Sequence, residues 1–383
     1  MAKAPTTHDM LDNLISSPSI SSNHPHLDSS NLPVINLLAE WLDEFGFDIK
    51  IQPLPEQNNK ANLIARLGNG DDGLALSGHT DTVPCDENLW DFDPFKVTQV
   101  DSRYYGLGTS DMKSFFALII TALKDINLNK LNKPITILAT ADEESSMAGA
   151  KALLSGQGKL GRYCIIGEPT TLKPVHQHKG IFMESIRLLG RSGHSSDPRL
   201  GNNALEGMHE IIQTMLSYRD ALGKQFVNQD FAVPQPTLNL GHIHGGDNPN
   251  RICGQCELHY DLRTLPDMEI NNIRNNLHDM VLEISQRRGL KCEFTSLFEG
   301  TPALSTPATS SIVKLTEQLT NTKSNSVVFA TEGPYFSQMG METIILGPGS
   351  IDVAHQPNEY IENEQLDSAI DLYKKIINKV CIN

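Results

Sequence analysis

The sequence lacks an apolar run long enough to cross a bilayer. The longest apolar stretch near a predicted helix is Phe115–Leu123, whereas a spanning helix needs about 20 consecutive apolar residues. The first residues, Met1–Ile15, also lack the uninterrupted apolar segment of a secretory signal, because polar side chains break it. We therefore expect no membrane insertion, no export and a cytoplasmic location.

Positive charge is scarce as well. The chain has 31 Lys and Arg residues against 46 Asp and Glu residues, which gives a formal net charge of -15 at pH 7. A surface this negative repels the phosphates of nucleic acids and the head groups of anionic lipids. We therefore expect neither nucleic acid nor a membrane among the partners of this protein.

Two kinds of motif are also missing. The six cysteines are scattered without the spacing of a disulfide framework, as expected for reduced thiols in a cytosol. The glycines of Gly106–Lys113 match neither a dinucleotide fingerprint nor a phosphate loop. The sequence thus favours neither a disulfide-stapled secreted protein nor a nucleotide-binding protein.

What the sequence does contain is an alternation of helix and strand patterns. With 383 residues, of which 39% are hydrophobic and 20% charged, the chain is long enough for two compact domains. Strands such as Leu74–Gly78 and Ile135–Ala139 are nearly continuous apolar runs, which is typical of strands covered by helices on both faces. We predict a larger α/β domain made of residues 1–179 and 294–383.

Between these two parts the pattern changes. A strand at Ile181–Leu189 precedes an amphipathic helix, which is followed by strands at Pro236–Leu240 and Ile252–Leu262, a second amphipathic helix and a last strand. This β-α-β-β-α-β order is that of a small α+β unit. We therefore predict that residues 180–293 form a smaller α+β domain inserted into the larger one.

Histidines and carboxylates follow several of the predicted strands. His79 and Asp81 lie two residues apart at a strand end and hence on the same side, so the imidazole could bind a metal and the carboxylate could orient it. A hydrogen-bonded surface pair would give the same pattern. Asp111 stands at the expected N-cap of a helix over Met112–Leu123, and capping is the simple alternative to a functional role.

The densest acidic cluster, Asp142-Glu143-Glu144, follows a buried strand. Like charges crowded there are stable at neutral pH only when cations neutralise them or some carboxylates are protonated. Glu168 follows another β-run, and His355 follows a Gly-Pro-Gly turn. Catalytic groups gather at such strand ends in α/β sheets, and mixed N/O ligation of this kind suits two Zn²⁺ or similar ions.

These motifs, in this order, resemble those of the acetylornithine deacetylase and succinyl-diaminopimelate desuccinylase family of dinuclear metallohydrolases. The matching segments run nearly from end to end of the chain and are Gly78–Pro84, Gly106–Lys113, Asp142–Glu144, Gly167–Pro169, Gly193–Ser196 and Ala354–Pro357. The resemblance implies a mixed-sheet α/β catalytic domain with an inserted α+β dimerisation or lid domain, and therefore a homodimer.

The resemblance also implies five ligands for two divalent metal ions, Zn²⁺ or alternatively Co²⁺: His79, Asp111, Glu144, Glu168 and His355. His79 and Glu168 would bind one ion, Glu144 and His355 the other, and Asp111 both. Glu143 would be the general base for a hydroxide that bridges the ions and attacks an amide carbonyl, and Asp81 would lie behind His79. His194, in the inserted domain, would reach the active site of the partner subunit and steady the oxyanion.

The resemblance extends to the substrate, an acylated amino acid. Arg251, with its neighbour Asn250, matches a position that holds the substrate α-carboxylate, a role that suits the planar guanidinium. A solvated loop arginine is the alternative.

The stretch Phe329–Pro334 resembles the deacetylase branch of the family. We hypothesise that Glu332 selects a substrate side chain ending in an ammonium group, as in N2-acetyl-L-ornithine. Relatives often have Ala where this chain has Gly333, which bears on specificity alone. The expected reaction is hydrolysis of acetylornithine to ornithine and acetate, a step of arginine biosynthesis.

Two alternatives remain open on the sequence. One is a sister activity at the same site, either removal of succinyl from diaminopimelate or broader deacylation of N-acyl amino acids. The other is a non-enzymatic binding or regulatory protein that kept the fold. The second is disfavoured because every expected ligand and Glu143 are present.

Overall fold

The computed structural model describes residues 4–55 and 57–382. Residues 1–3 and 383, at the ends of the predicted larger domain, lie outside the described residues. The helices are α1 (Thr7–Ile15), α2 (Leu32–Asp43), α3 (Ser114–Lys124), α4 (Ala148–Gly156), α5 (Ala204–Gln225), α6 (Ile270–Arg287), α7 (Ser311–Thr320), α8 (Gly333–Gln338) and α9 (Asn363–Ile377).

The strands follow the same chain order. They are β1 (Asp48–Leu54), β2 (Gln57–Leu67), β3 (Leu74–His79), β4 (Thr98–Val100), β5 (Arg103–Tyr105), β6 (Ile135–Thr140), β7 (Tyr163–Pro169), β8 (Val175–His178), β9 (Gly180–Leu189), β10 (Thr237–Gly245), β11 (Gln255–Thr264), β12 (Lys291–Thr301), β13 (Leu304–Ser305), β14 (Asn325–Val327), β15 (Glu342–Gly347) and β16 (Tyr360–Glu362). None of the helices in the described part of the chain combines the length and the apolar character that a membrane crossing needs.

The chain divides into two units. The first consists of Met1–His176, Ser305–Asn325 and Thr331–Asn383, and the second of Gln177–Leu304 and Ser326–Ala330. Each unit buries a hydrophobic core of its own.

The first unit is built around a mixed sheet in which the strands run β1-β2-β6-β3-β7-β15-β8. The central strands β6, β3, β7 and β15 run parallel to one another, whereas β2 pairs antiparallel with β1 and β6, and β8 pairs antiparallel with β15. In the register of this sheet, Leu74 of β3 is paired with Ile135 on one side and Tyr163 on the other. This arrangement confirms the predicted mixed-sheet α/β fold.

Helix α3 lies directly against the carboxyl ends of the central strands. Strands β3, β6 and β7 are buried along their whole length, as the continuous apolar runs predict. A Cβ atom added at Gly167 would lie 2.2 Å from the ring of Phe115, and one at Gly78 would lie 2.6 Å from the end of Met112. These two glycines therefore allow the close packing of helix and sheet immediately before His79 and Glu168.

The second unit has the predicted β-α-β-β-α-β order, formed by β9, α5, β10, β11, α6 and β12. Its sheet has the order β10-β11-β9-β12, with antiparallel pairs throughout. Apolar side chains of α5 and α6, such as Met208 and Leu277, join those of the strands, such as Phe182 and Leu258, in one core. The amphipathic stripes of the two helices thus face the sheet.

The start of α3 differs from the prediction. A helix from Met112 with Asp111 as its N-cap was expected, but α3 begins at Ser114 and its N-cap is Lys113. The N–H groups of Ser110 and Asp111 donate instead to the carboxylate of Glu359. The backbone around Asp111 is therefore held in a loop, and the capping interpretation of Asp111 is wrong.

Candidate metal centre

Four predicted side chains come together at the carboxyl ends of parallel strands of the first unit. His79 is the last residue of β3, Glu143 and Glu144 follow the end of β6, and Glu168 is near the end of β7. Parallel strands end at the same edge of a sheet, so this geometry follows from the topology. The edge therefore carries one imidazole and three carboxylates.

The imidazole of His79 has a defined orientation and is 1% exposed. Its Nδ1 donates to the carbonyl oxygen of Asp81 at 2.9 Å. Because a carbonyl oxygen only accepts, Nδ1 carries a proton, and Nε2 of the neutral ring is left with a lone pair. Nε2 lies 3.1 Å from Oδ1 of Asp111 and 3.8 Å from Oε1 of Glu168. This is the tautomer that a metal-ligating histidine requires.

Asp111 faces two histidines at once. It lies in the loop between β5 and α3, and its residue is 6% exposed. Its Oδ1 is 3.1 Å from Nε2 of His79, and its Oδ2 is 3.2 Å from Nε2 of His355. A carboxylate with its two oxygens directed at two different imidazoles can be shared by two ions.

His355 lies in the loop after β15, where its φ is 58°. Its Nε2 is 3.0 Å from Oε1 of Glu144, in addition to its contact with Asp111. About half of its side chain, 49%, is exposed, in contrast with the buried ring of His79. His355 thus closes the cluster on its open side.

The distances define two overlapping groups of potential ligands. One contains His79, Glu143 and Glu168, and the other contains His79, Asp111 and Glu144; within each group the ligand atoms lie within 4.8 Å of one another. Glu143, which we expect to be the general base, therefore lies as near to Glu168 and His79 as a ligand would.

Burial and mutual repulsion control the protonation of the glutamates. Burial raises the pKa of Glu143 well above its ordinary range, and the charge of Glu168 raises it further. Burial raises the pKa of Glu168 and of Glu144 as well, and in both the charge of Asp111 adds to the rise. These carboxylates are crowded and short of positive charge.

The pKa values of the two imidazoles are also raised, whereas the pKa of Asp111 is lowered. Burial lowers the pKa of His79, but its hydrogen bond to Asp111 and the charge of Glu168 outweigh burial and raise the pKa well above its ordinary value. Hydrogen bonds to Asp111 and Glu144 raise the pKa of His355 to about 11. Burial would raise the pKa of Asp111, yet hydrogen bonds from His355 and His79 lower it.

The donor set fits divalent cations. The raised pKa values of its glutamates and histidines mean that the cluster favours added positive charge. Divalent ions neutralise crowded carboxylates without requiring them to hold protons. Imidazole nitrogen and carboxylate oxygen together are typical ligands of Zn²⁺ and related ions.

Asp81 connects two parts of the cluster. Its carboxylate accepts the N–H groups of Glu143 at 3.2 Å and Glu144 at 3.1 Å, and its residue is 1% exposed. The carboxylate is 3.8 Å from Nδ1 of His79, which is bonded to the Asp81 carbonyl oxygen instead. Asp81 therefore orients His79 through its backbone and the two glutamates through its side chain.

Glu332 precedes α8 and is 1% exposed. Both of its carboxylate oxygens are shielded from solvent and have no hydrogen-bond partner among the described residues. Burial raises the pKa of Glu332 to about 7. The side chain is thus a buried acid in the same unit as the cluster, with Thr140 as a polar neighbour that lowers its pKa against the effect of burial.

The remaining predicted residues lie in the second unit. His194 and Arg251 form an isolated antiparallel bridge, and the carbonyl oxygen of Asn250 accepts the N–H of Ser195 at 3.0 Å. Nδ1 of His194 accepts the N–H of Ser196, so its Nε2 carries a proton and is available as a donor.

The guanidinium of Arg251 pairs with Asp247 at 2.6 Å, with both side chains more than half exposed. An exposed ion pair of this kind contributes little free energy. The pair therefore leaves Arg251 able to exchange Asp247 for another carboxylate.

Sequence reasoning missed two residues that support the cluster. Lys60 is buried in β2, and its Nζ donates to Asp142 at 2.8 Å and to Asp28 at 2.6 Å. Asp142 has a φ of 62° and turns the chain from β6 toward Glu143. Nothing in the local sequence of β2 marks Lys60. Glu359, in contrast, stands four residues after His355, and an acid so close to a recognised motif was a usable signal.

Comparisons with known proteins agree with this geometry. The chain matches Peptidase family M20/M25/M40 over residues 75–379. Acetylornithine deacetylase of Vibrio parahaemolyticus serotype O3:K6 (strain RIMD 2210633) is 45% identical over 377 residues, which cover 98% of this chain and 99% of that protein. Acetylornithine deacetylase of Salmonella paratyphi B (strain ATCC BAA-1250 / SPB7) is 46% identical over 368 residues, which cover 96% of each protein.

A solved structure shares the fold. The M20 family metallo-carboxypeptidase of Sulfolobus solfataricus superposes with a TM-score of 0.76, at 18% identity and with 97% of this chain and 98% of that chain covered. At this identity the likeness establishes the fold alone.

Proposed function

The chain belongs to Peptidase family M20/M25/M40, and we propose that it is a metal-dependent amidohydrolase that converts N2-acetyl-L-ornithine to L-ornithine and acetate, a step of arginine biosynthesis. Relatives that carry the name acetylornithine deacetylase are 45% and 46% identical to it over nearly their whole length. The observation that carries the proposal is the cluster in which Asp111 lies between His79 and His355, with three glutamates around it.

The metal ligands are five side chains of the first unit. We propose that His79 and Glu168 hold one divalent ion, that Glu144 and His355 hold the other, and that Asp111 contacts both. When bound, the ions polarise the scissile carbonyl and make a water molecule more acidic. Zn²⁺ suits the mixed nitrogen and oxygen ligands, and Co²⁺ is the alternative.

Glu143 is the proposed general base. Its carboxylate accepts the proton of the attacking water and returns it to the leaving nitrogen, which departs as the amine. The hydrogen bond from its N–H to the Asp81 carboxylate fixes the backbone from which its side chain projects. Burial, which raises the pKa of Glu143, makes it a better proton acceptor than an exposed glutamate.

Substrate recognition is assigned to three residues. Arg251, with Asn250 beside it, holds the α-carboxylate, because the planar guanidinium offers two parallel donors to a carboxylate. Glu332 pairs with the ammonium group of the ornithine side chain. Its lack of a hydrogen-bond partner among the described residues supports this assignment.

Residues 180–293, most of the second unit, are the proposed dimerisation or lid domain, inserted between the two parts of the catalytic domain, residues 1–179 and 294–383. In the homodimer, His194 reaches the site of the partner subunit and donates to the developing oxyanion. The proton on its Nε2 suits that role. A cytoplasmic location fits the six free cysteines.

A panel of substrates tests the proposal. The zinc-loaded protein is assayed with N2-acetyl-L-ornithine, N-acetyl-L-norvaline and N-succinyl-diaminopimelate, and kcat/KM is compared. We expect the highest value for acetylornithine. Preference for the succinyl compound would assign the sister activity, and no turnover of any of them by metal-loaded protein would favour a binding protein.

A further inference from the structure

A buried glutamate that is not a metal ligand holds the loop that carries Asp111. Glu359 is 1% exposed and lies between His355 and β16. Its Oε1 accepts the N–H groups of Ser110 at 2.7 Å, Asp111 at 2.9 Å and Gly108 at 3.1 Å. Its Oε2 is a further 3.2 Å from the N–H of Gly108.

The backbone of Glu359 is joined to the same loop. Its carbonyl oxygen accepts the N–H of Gly106 at 3.0 Å. Gly108 has a φ of 88°, a conformation that glycine adopts without strain. The loop therefore curls around one carboxylate, which satisfies three backbone donors that would otherwise be buried without a partner.

The position of the Asp111 side chain depends on this backbone. Its two oxygens lie 3.1 Å from His79 and 3.2 Å from His355, and no helix fixes the residue, because α3 begins three positions later. His355 and Glu359 lie in the same loop, between β15 and β16. One carboxylate thus fixes the spacing between the loop of Asp111 and the loop of His355.

We infer that Glu359 is a positioning residue for metal binding: it sets the backbone of Asp111 so that one side-chain oxygen faces His79 and the other faces His355. The inference rests on the proposed function, in which Asp111 contacts both ions. A group that orients a ligand in this way typically changes metal affinity about 10- to 100-fold when it is removed.

The loop requires accepting oxygens at this position. In Glu359→Gln the side chain keeps its shape, but one acceptor becomes an NH₂ group that faces the N–H of Gly108, donor against donor. Glu359→Ala removes every acceptor. We expect the Gln variant to weaken Zn²⁺ binding about 10-fold and the Ala variant about 100-fold. Glu362→Gln is the matched control, because that carboxylate is on the same segment, half exposed and paired only loosely with Arg103 at 3.6 Å.

The test measures Zn²⁺ dissociation constants by competition with a chromophoric chelator, the visible spectrum of the Co²⁺-loaded proteins, and the melting temperature without metal. A weaker Zn²⁺ constant and an altered Co²⁺ spectrum in Glu359→Gln, with Glu362→Gln unchanged, support the inference. If Glu359→Ala does not fold, the Gln variant carries the test.

Two other results would overturn the inference that Glu359 positions Asp111. If the unaltered protein binds Zn²⁺ and Glu359→Gln binds it equally well, with the same Co²⁺ spectrum and only a lower melting temperature, Glu359 is merely structural and this inference alone fails. If the unaltered protein binds no Zn²⁺, the proposed function fails together with it.

Discussion

The imidazole Nε2 of His355 lies 3.0 Å from a carboxylate oxygen of Glu144, although 211 positions separate the two residues in the chain. Glu144 follows β6 and His355 follows β15, so the sheet brings them together. The same Nε2 is 3.2 Å from Asp111. One imidazole is thus shared by two carboxylates, which is the contact pattern expected where a cation is bound.

The Glu143→Gln variant distinguishes whether Glu143 acts as the general base or as a metal ligand. Glu143 lies as close to His79 and Glu168 as a ligand would, but we assign it proton transfer. Glu143→Gln should therefore retain the full metal content and lose about 10²- to 10⁴-fold in kcat, the typical contribution of a general base. The measurements are metal analysis and steady-state kinetics with acetylornithine.

Glu144→Gln is the comparison for this experiment, since the neighbouring residue is a proposed ligand and its loss should lower the metal content. If Glu143→Gln loses an ion to the same extent as Glu144→Gln, Glu143 is a ligand and the assignment of the base is wrong.

The buried pair of Lys60 and Asp142 should stabilise the fold. The side chain of Lys60 is 2% exposed and that of Asp142 is 5% exposed, so Lys60→Met leaves a buried carboxylate without its cation. Removing one partner of such a pair costs about 3 to 5 kcal/mol in the free energy of unfolding. Urea denaturation of the metal-free protein measures the loss.

Lys50→Met is the control, because Lys50 is exposed and, among the residues that the structure describes, its Nζ donates only to the side chain of Gln157. Its effect should stay within about 0.5 kcal/mol. An equal decrease in the free energy of unfolding in Lys60→Met and Lys50→Met would show that the ion pair between Lys60 and Asp142 does not stabilise the fold.

The stability of the metal-free protein should fall as the pH rises. Burial raises the pKa of Glu332 to about 7 and that of Glu359 to about 8, so the folded state keeps protons that the unfolded chain has lost. The pKa of His355, raised to about 11, acts in the same direction. Because the folded state binds more protons, its free energy of unfolding decreases between about pH 5 and about pH 8.

Saturating Zn²⁺ should oppose this trend, because metal ligands bind in their deprotonated forms and the affinity grows with pH. Denaturation curves at several pH values, with and without Zn²⁺, give the change of the free energy of unfolding with pH for the metal-free and the metal-loaded protein. A metal-free stability that rises over this interval would contradict the assignment of raised pKa values to the buried acids.

The substrate preference should depend on Glu332. Glu332→Gln removes the charge that we pair with the ornithine ammonium group, so the preference for acetylornithine over acetylnorvaline, as a ratio of kcat/KM, should fall about 10- to 100-fold. Glu364→Gln, on the exposed start of α9, serves as the control. An unchanged ratio in Glu332→Gln would show that Glu332 does not select the side chain.

Much of the site could be foreseen because strand ends leave a strong sequence signal. The apolar runs of β3 and β6 end directly in His79 and in Asp142-Glu143-Glu144, and parallel strands bring such ends to one edge. The α/β class and the β-α-β-β-α-β order followed from the same periodicities, whereas the mixed sheet was expected from the family resemblance. Local patterns therefore contain most of the information about the fold and about which acids meet.

The supporting contacts could not be foreseen in this way. Lys60 is 82 residues from Asp142 and Glu359 is 248 residues from Asp111, and no periodicity reports a single long-range pair. The start of α3 was misplaced for the same reason, since the hydrogen bonds from the N–H groups of Ser110 and Asp111 to Glu359 hold this backbone in a loop. Such pairs become visible only when the loops are placed in space.

Metal content measured together with turnover tests the central claim most directly. The purified protein, the same protein after dialysis against a chelator, and the dialysed protein resupplied with Zn²⁺ are analysed for bound metal and for hydrolysis of acetylornithine. We predict two ions per chain, loss of turnover with the ions, and recovery with Zn²⁺. Full turnover by a chain that carries no ion would contradict the account.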